Sequence, residues 1–82
     1  MIISVLSPDK EIFEGEITSV KVPGKDGQFE ILNNHAPIVA ALDYGEVRIL
    51  KSGGDKMTFT IEKGFIEVLY NKVSLLVEGA EM

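Results

Sequence analysis

The sequence predicts an all-β domain, a small β-sandwich or flattened barrel of about eight to ten short, mostly antiparallel strands. Three observations predict it. Apolar residues alternate with polar ones in run after run, which is the pattern of a half-buried strand. Glycine, proline, asparagine and aspartate punctuate the chain at short intervals. No segment carries the period of a helix of ordinary length.

Taken in order, Met1-Ile2-Ile3-Ser4-Val5-Leu6 is apolar, but Pro8-Asp9 cuts it short and it has no basic flank. It therefore reads as a strand of the fold, not as a signal peptide or a membrane span. Thr18, Val20 and Val22 oppose Ser19 and Lys21, giving a second strand that runs to Pro23-Gly24. Gly24 and Gly27 bracket Lys25-Asp26, so the backbone is expected to reach positive φ on both sides of a charged tip. Gln28 follows, then Phe29 and Ile31 alternate with Glu30 until Asn33-Asn34 stop the strand. Pro37 forces Ala36 into an extended conformation and makes a His35-Ala36-Pro37 corner.

Ile38-Val39-Ala40-Ala41-Leu42 is apolar on both faces, which suits a strand in the sandwich core or one whose second face a partner covers. After Asp43-Tyr44-Gly45, where Tyr44 reads as a turn residue, Val47 and Ile49 alternate with Glu46 and Arg48. Gly53-Gly54-Asp55 separates that strand from Met57, Phe59 and Ile61, which alternate with Thr58, Thr60 and Glu62. Lys63-Gly64 leads into Ile66, Val68 and Tyr70, opposed by Glu67, with Tyr70 expected to end a core strand. Asn71-Lys72 turns the chain into Val73, Leu75 and Val77, and Gly79 closes the last run.

Composition narrows the function. Eighty-two residues, 1–82, make one domain, and a chain of this size buries only about 60% of the surface its unfolded form exposes, which leaves little room for an internal active site. The absence of cysteine excludes disulfides, thiolate zinc sites and a cysteine nucleophile. Thirteen acids against eight scattered bases give a net charge of −5, without the basic footprint of a nucleic-acid or anionic-membrane binder. Membrane association, without direct lipid insertion, is then expected to run through a protein partner. His35 is the only histidine, with no nucleophile elbow and no ligand cluster around it in sequence, so it reads as structural or interfacial. No cofactor, metal or catalytic residue is expected.

A lipoyl or biotinyl carrier domain has a similar size, and Asp55-Lys56-Met57 looks like its signature, with the prosthetic group on Lys56. Against it, Ser52-Gly53-Gly54 makes a looser turn than a carrier lysine needs, and Lys56 sits late in the chain. A sugar- or peptide-binding sandwich usually exposes aromatics, and here there is no tryptophan.

The chain resembles the N-terminal β-sandwich of the ε subunit of F-type ATP synthase over its whole length. The likeness rests on Ser7-Pro8-Asp9-Lys10-Glu11-Ile12-Phe13-Glu14-Gly15-Glu16, on Val20-Lys21-Val22-Pro23-Gly24, and on Gly27-Gln28-Phe29-Glu30-Ile31-Leu32. It continues through Asn34-His35-Ala36-Pro37 and Tyr44-Gly45-Glu46-Val47-Arg48-Ile49 to Gly64-Phe65-Ile66-Glu67-Val68 and Asn71-Lys72-Val73-Ser74-Leu75-Leu76. Each motif alone is weak, and their order and spacing together are strong.

The resemblance implies a non-catalytic central-stalk subunit that binds γ and rests on the polar loops of the membrane c-ring, coupling rotation to ion-driven ATP synthesis. It implies that Gly24, Lys25, Asp26, Gly27 and Gln28, with Glu30, face the c-ring, and that His35, Ala36, Pro37, Ile38 and Val39 face γ. Gln28 stands where the family often has an acid, so Asp26 or Glu30 is expected to supply the charge. Asn33 and Asn34 stand where the family often has Pro and Gly, and Asn is the residue other than Gly that best tolerates the left-handed region. Full-length members continue into a helical hairpin where this sequence stops at Met82, so no nucleotide site and no helix-based brake are expected in these residues. The implied location is the cytoplasmic side of a bacterial inner membrane.

Overall fold

Eight strands and no helix make up the chain. The computed structural model describes all residues, 1–82, in a body of 27 × 24 × 19 Å. In chain order they are β1 (Ile2–Leu6), β2 (Glu11–Gly24), β3 (Gly27–Leu32), β4 (Ile38–Leu42), β5 (Gly45–Lys51), β6 (Lys56–Ile61), β7 (Lys63–Leu69) and β8 (Lys72–Glu78). All pairings are antiparallel except β1 with β8. The strand class, number and antiparallel bias agree with the sequence reading.

The long strand β2 explains how the layers join. Its first half pairs with β1, from Glu11 against Leu6 to Glu16 against Ile2. Its second half pairs with β3 on one edge and β5 on the other. One layer is therefore β3-β2-β5-β6, and the other is β4-β7-β8-β1 followed by the start of β2. β2 leaves one margin of the second layer and reaches the opposite margin at Gly24, where it pairs with Leu42 of β4. It runs across the second layer, closing the ring β1-β8-β7-β4-β2, which is why the molecule is a flattened barrel as much as a sandwich.

The inward residues are those the alternation nominates. Ile3 and Val5 on β1, Val47 and Ile49 on β5, Phe59 and Ile61 on β6, Ile66 and Val68 on β7, and Val73, Leu75 and Val77 on β8 form one buried cluster with Val20, Val22 and Ile31. Burying each aliphatic side chain contributes about 1.5–3 kcal/mol, so this cluster is the main force that opposes chain entropy.

Four local expectations fail, each for a physical reason. Thr18 does not join Val20 and Val22 inside: it is exposed and Ser19 is buried. The register with β5 slips between Ile17 and Ser19, so Thr18 is an extra residue that reverses the alternation, and its Oγ1 donates to the Leu50 carbonyl at 3.2 Å. Tyr70 does not end a core strand. It is 90% exposed and, with Asn71, forms a two-residue turn in which both residues hold positive φ, 52° and 61°, the pattern that matches strand twist.

Gly24 lacks the expected positive φ; only Gly27 has it, at 123°. A Cβ on Gly24 would lie 2.7 Å from the Phe29 ring and 2.8 Å from the Gly27 carbonyl oxygen, so glycine is required there by close approach. Finally, β4 is not a core strand with two buried faces. Leu42 is buried and Ile38 and Ala40 are half-buried, whereas Val39 and Ala41 are exposed.

Candidate interaction surface

Some of the residues the sequence singles out line one surface groove. The tip Gly24-Lys25-Asp26-Gly27-Gln28 and Phe29 of β3 form one wall of a surface groove, and Ile38, Val39, Ala40 and Ala41 of β4 form the other. Sequence reading divides these residues between two partners; the structure brings the tip and the β4 residues Ile38 and Val39 together. Glu30 lies on β3 opposite Lys21 of β2 and is exposed.

The His35-Ala36-Pro37 corner sits at the opposite end of β4 and is held by local bonds. His35 N–H donates to the Leu32 carbonyl at 3.2 Å, and its ring Nδ1 lies 2.7 Å from the Ala36 carbonyl. A carbonyl can only accept, so Nδ1 carries the proton, the structural role expected for a lone histidine beside proline. Asn34 holds φ at 64°, as its tolerance of the left-handed region allows.

A clip that sequence reading missed fixes this corner. The side chain of Asn71 accepts from Asn34 N–H at 2.8 Å and donates from Nδ2 to Asn33 Oδ1 at 3.0 Å. It ties the β3–β4 corner to the β7–β8 turn across a separation of 37 residues. Nothing in a linear pattern pairs these asparagines, since each also reads as an ordinary turn former. Asn71→Ala is expected to cost about 1–3 kcal/mol, from two lost hydrogen bonds and a Cβ residue left at positive φ. Chemical denaturation checks it, and Asn71→Gly should recover only the backbone part.

The outer face of the β4-β7-β8-β1 layer carries a second feature. Ala41 pairs with Phe65, Phe65 with Leu76, and Leu76 with Leu6, so one row of four exposed apolar side chains crosses four strands. Val39, Glu67, Ser74 and Ser4 form the neighbouring row. Its sequence signal is there to read: Phe65, Leu69 and Leu76 are apolar in the phase opposite to the buried residues of β7 and β8. A half-polar sheet needs no such residues, which makes this face a candidate contact surface.

Electrostatics are mild. Ile12 is an extra residue in the β1–β2 register, which sets Glu11 and Glu14 side by side. A hydrogen bond to Glu14, its like charge and slight desolvation raise the Glu11 carboxyl above its ordinary value. A raised carboxyl binds its proton more tightly when folded, so the pair favours the fold in acid, and that contribution is lost as pH rises through the raised value. The pair is at the solvent surface and far from a catalytic arrangement. No group of three or more His, Cys, Asp or Glu residues could hold a metal ion. Lys56 opens β6 opposite Leu50, after a four-residue loop closed by Lys51 N–H to the Asp55 carbonyl at 2.8 Å. It does not occupy a tight hairpin tip, and nothing in the geometry favours it as a carrier lysine.

Comparison with known proteins agrees on one family. The family model of the β-sandwich domain of the ATP synthase delta/epsilon chain matches residues 1–82. The ATP synthase epsilon chain of Chlorobium limicola is 47% identical over 76 residues, covering 93% of this chain and 86% of that relative. That of Leptospira borgpetersenii is 48% identical over 77 residues, covering 93% of this chain and 59% of the relative. The chain thus spans most of one curated relative and under two thirds of the other. Among solved structures, a chain of the Euglena gracilis mitochondrial ATP synthase, solved with OSCP, F1 and c-ring, superposes with a TM-score of 0.91 at 23% identity, over 99% of this chain and 52% of that one. A chain of the Tetrahymena thermophila mitochondrial ATP synthase central stalk and c-ring gives 0.82 at 18% identity, over 99% and 65%. At those identities the two structures establish the shared fold.

Proposed function

Because the chain belongs to the ATP synthase delta/epsilon β-sandwich family, we propose that it is a rotor subunit of the central stalk, which grips γ and the c-ring and couples their rotation during ion-driven ATP synthesis. It catalyses no step itself. No comparison favours the carrier-domain alternative at Lys56. The observation that carries the reading is the match of family and fold over the full chain, together with exposed apolar positions on a small body.

A stable protein contact buries on the order of 800 Å² per partner, about a sixth of the 4912 Å² this chain exposes. Two such contacts, to γ and to the ring, would cover a large part of the molecule. A torque-bearing element also has to be stiff, and the closed strand ring β1-β8-β7-β4-β2 supplies this by removing most free edges. In this reading the tip Gly24–Gln28 with Glu30 meets the ring loops, and His35, Ala36, Pro37, Ile38 and Val39 meet γ. Asp26 and Glu30 provide negative charge where Gln28 provides none. The working location is the membrane-peripheral face of the complex, on the cytoplasmic side in a bacterium.

The charged tip gives a direct test. Asp26→Lys with Glu30→Lys is expected to lower ATP-driven ion pumping in membranes that carry the altered subunit. Both residues are exposed and unpaired in the fold, so the thermal midpoint should stay close to the parent's, as surface changes are generally within about 0.5 kcal/mol. Equal losses of thermal stability and of pumping would refute the ring-facing role.

A further inference from the structure

The last residues of the chain leave β8 and cover a margin of the other layer. β7 and β8 pair as far as Lys63 with Glu78, and three residues further along each chain Thr60 of β6 pairs with Glu81. Thr60 N–H donates to the Glu81 carbonyl at 2.9 Å, and Glu81 N–H donates to the Thr60 carbonyl at 2.8 Å. Glu62 N–H donates to the Glu78 carbonyl at 2.9 Å. The chain turns off at Gly79, where φ is 70° and a Cβ would lie 2.5 Å from Cγ of Glu62. Glycine there serves both the left-handed backbone and the close approach.

Without this tail, β6 would be an open edge. Lys51 N–H donates to the Asp55 carbonyl, so Asp55 faces β5, and successive residues of a strand point their main-chain groups to opposite edges. Lys56, Thr58 and Thr60 therefore point away from β5, toward the margin where the strand order ends. β6 has no proline and no register slip, one charge at its start, and the strand-favouring run Thr58-Phe59-Thr60-Ile61. An uncovered strand of that kind pairs with other chains. Its own register suits a second copy: a two-fold axis at Thr58 would set Lys56 opposite Thr60 of the other copy and diagonal to its Glu62, so opposite charges would meet twice. The tail blocks this arrangement, because it occupies the main chain of Thr60 and lies against the Glu62 side chain.

The hold of the tail is limited. It consists of those three main-chain bonds and the half-buried Ala80, which packs against the core, while Glu81 and Met82 are exposed. We propose that residues 79–81 are a releasable strap that guards the β6 margin and keeps the chain monomeric, and that its release lets β6 pair antiparallel with β6 of a second copy. The inference concerns the free chain and stands apart from the rotor reading.

Amide hydrogen exchange and sedimentation test it on the whole chain and on two variants, one ending at Glu78 and one carrying Gly79→Val. The valine keeps every residue of the tail but cannot adopt the positive φ or share the space with Glu62. In the whole chain, the Thr60 and Glu62 amides are expected to be protected about a hundredfold, well below the thousandfold or more of amides that open only on global unfolding. Both variants should lose most of that protection at low concentration. As concentration rises at moderate salt, which screens the net charge of −5, they should self-associate at least about tenfold more tightly than the whole chain, and Thr58 and Thr60 should become protected together. Adding Thr58→Pro, which removes a margin-facing N–H, should abolish the association and leave a folded monomer. Thr60 and Glu62 amides as slow as the core in the whole chain would overturn release. Folded variants that stay monomeric over the same range, or that associate equally well with Thr58→Pro, would overturn the guarding role.

Discussion

Leu42→Ala is expected to lower the unfolding free energy by about 2–5 kcal/mol, the range for removing a fully buried leucine from a packed core. Leu42 is the one residue of β4 that is fully inside, and it pairs with Gly24 of β2 and Gly64 of β7. Its side chain therefore fills the seam at which the strand ring closes. A domain of this size has only about 5–15 kcal/mol of stability in total, so the loss would bring the fold close to its limit. Denaturant unfolding measures it through a fall in midpoint. A midpoint shift of the size seen for an exposed-site control such as Ala41→Gly would show that the seam is not a packed part of the core.

Gly64→Ala is expected to cost about 1–3 kcal/mol, as overpacking at a site that cannot relax generally does. A Cβ there would lie 2.6 Å from the main-chain carbonyl oxygen of Leu76 and 3.4 Å from Ile61 Cδ1. The carbonyl belongs to a paired strand, so it can move only by displacing β8 from β7. Gly53→Ala is the matching control, because a Cβ on Gly53 meets nothing within 4 Å and Gly53 lies in the exposed β5–β6 loop. Its thermal midpoint should match the parent's, and comparable losses for the two variants would show that glycine at 64 serves chain flexibility and not close approach.

The strands were legible wherever one face is buried and the register is regular. Val47 and Ile49, or Val73, Leu75 and Val77, could be placed by alternation alone because burial of one face imposes a period of two. Thr18 was misread because a bulge is one extra residue, and nothing in Ile17-Thr18-Ser19 marks which of the three is extra. Tyr70 was misread because alternation continues through it, while the two-residue turn that takes it out of the strand uses Tyr-Asn in place of the usual Asn-Gly.

The candidate interaction surface was half legible. Turn chemistry located the tip at Lys25-Asp26 and the corner at Asn33-Asn34, since both depend on short-range backbone preferences. The groove between the tip and β4 was hidden, because the crossing of β2 from one margin of a layer to the other brings Gly24 beside Leu42. So was the Asn71 clip, which joins two turns distant in sequence. Of the two readings of the apolar run Ile38–Leu42, the exposure of Val39 and Ala41 removes the core strand with both faces buried.

The most direct test is co-expression of this chain with the γ subunit of the same organism, followed by size-exclusion chromatography at low and at moderate salt. A rotor subunit is expected to co-elute with γ in a one-to-one complex under both conditions, since a contact of this class joins shape and apolar burial to charge and survives partial screening. Separate elution of two folded proteins at both salt concentrations would contradict it.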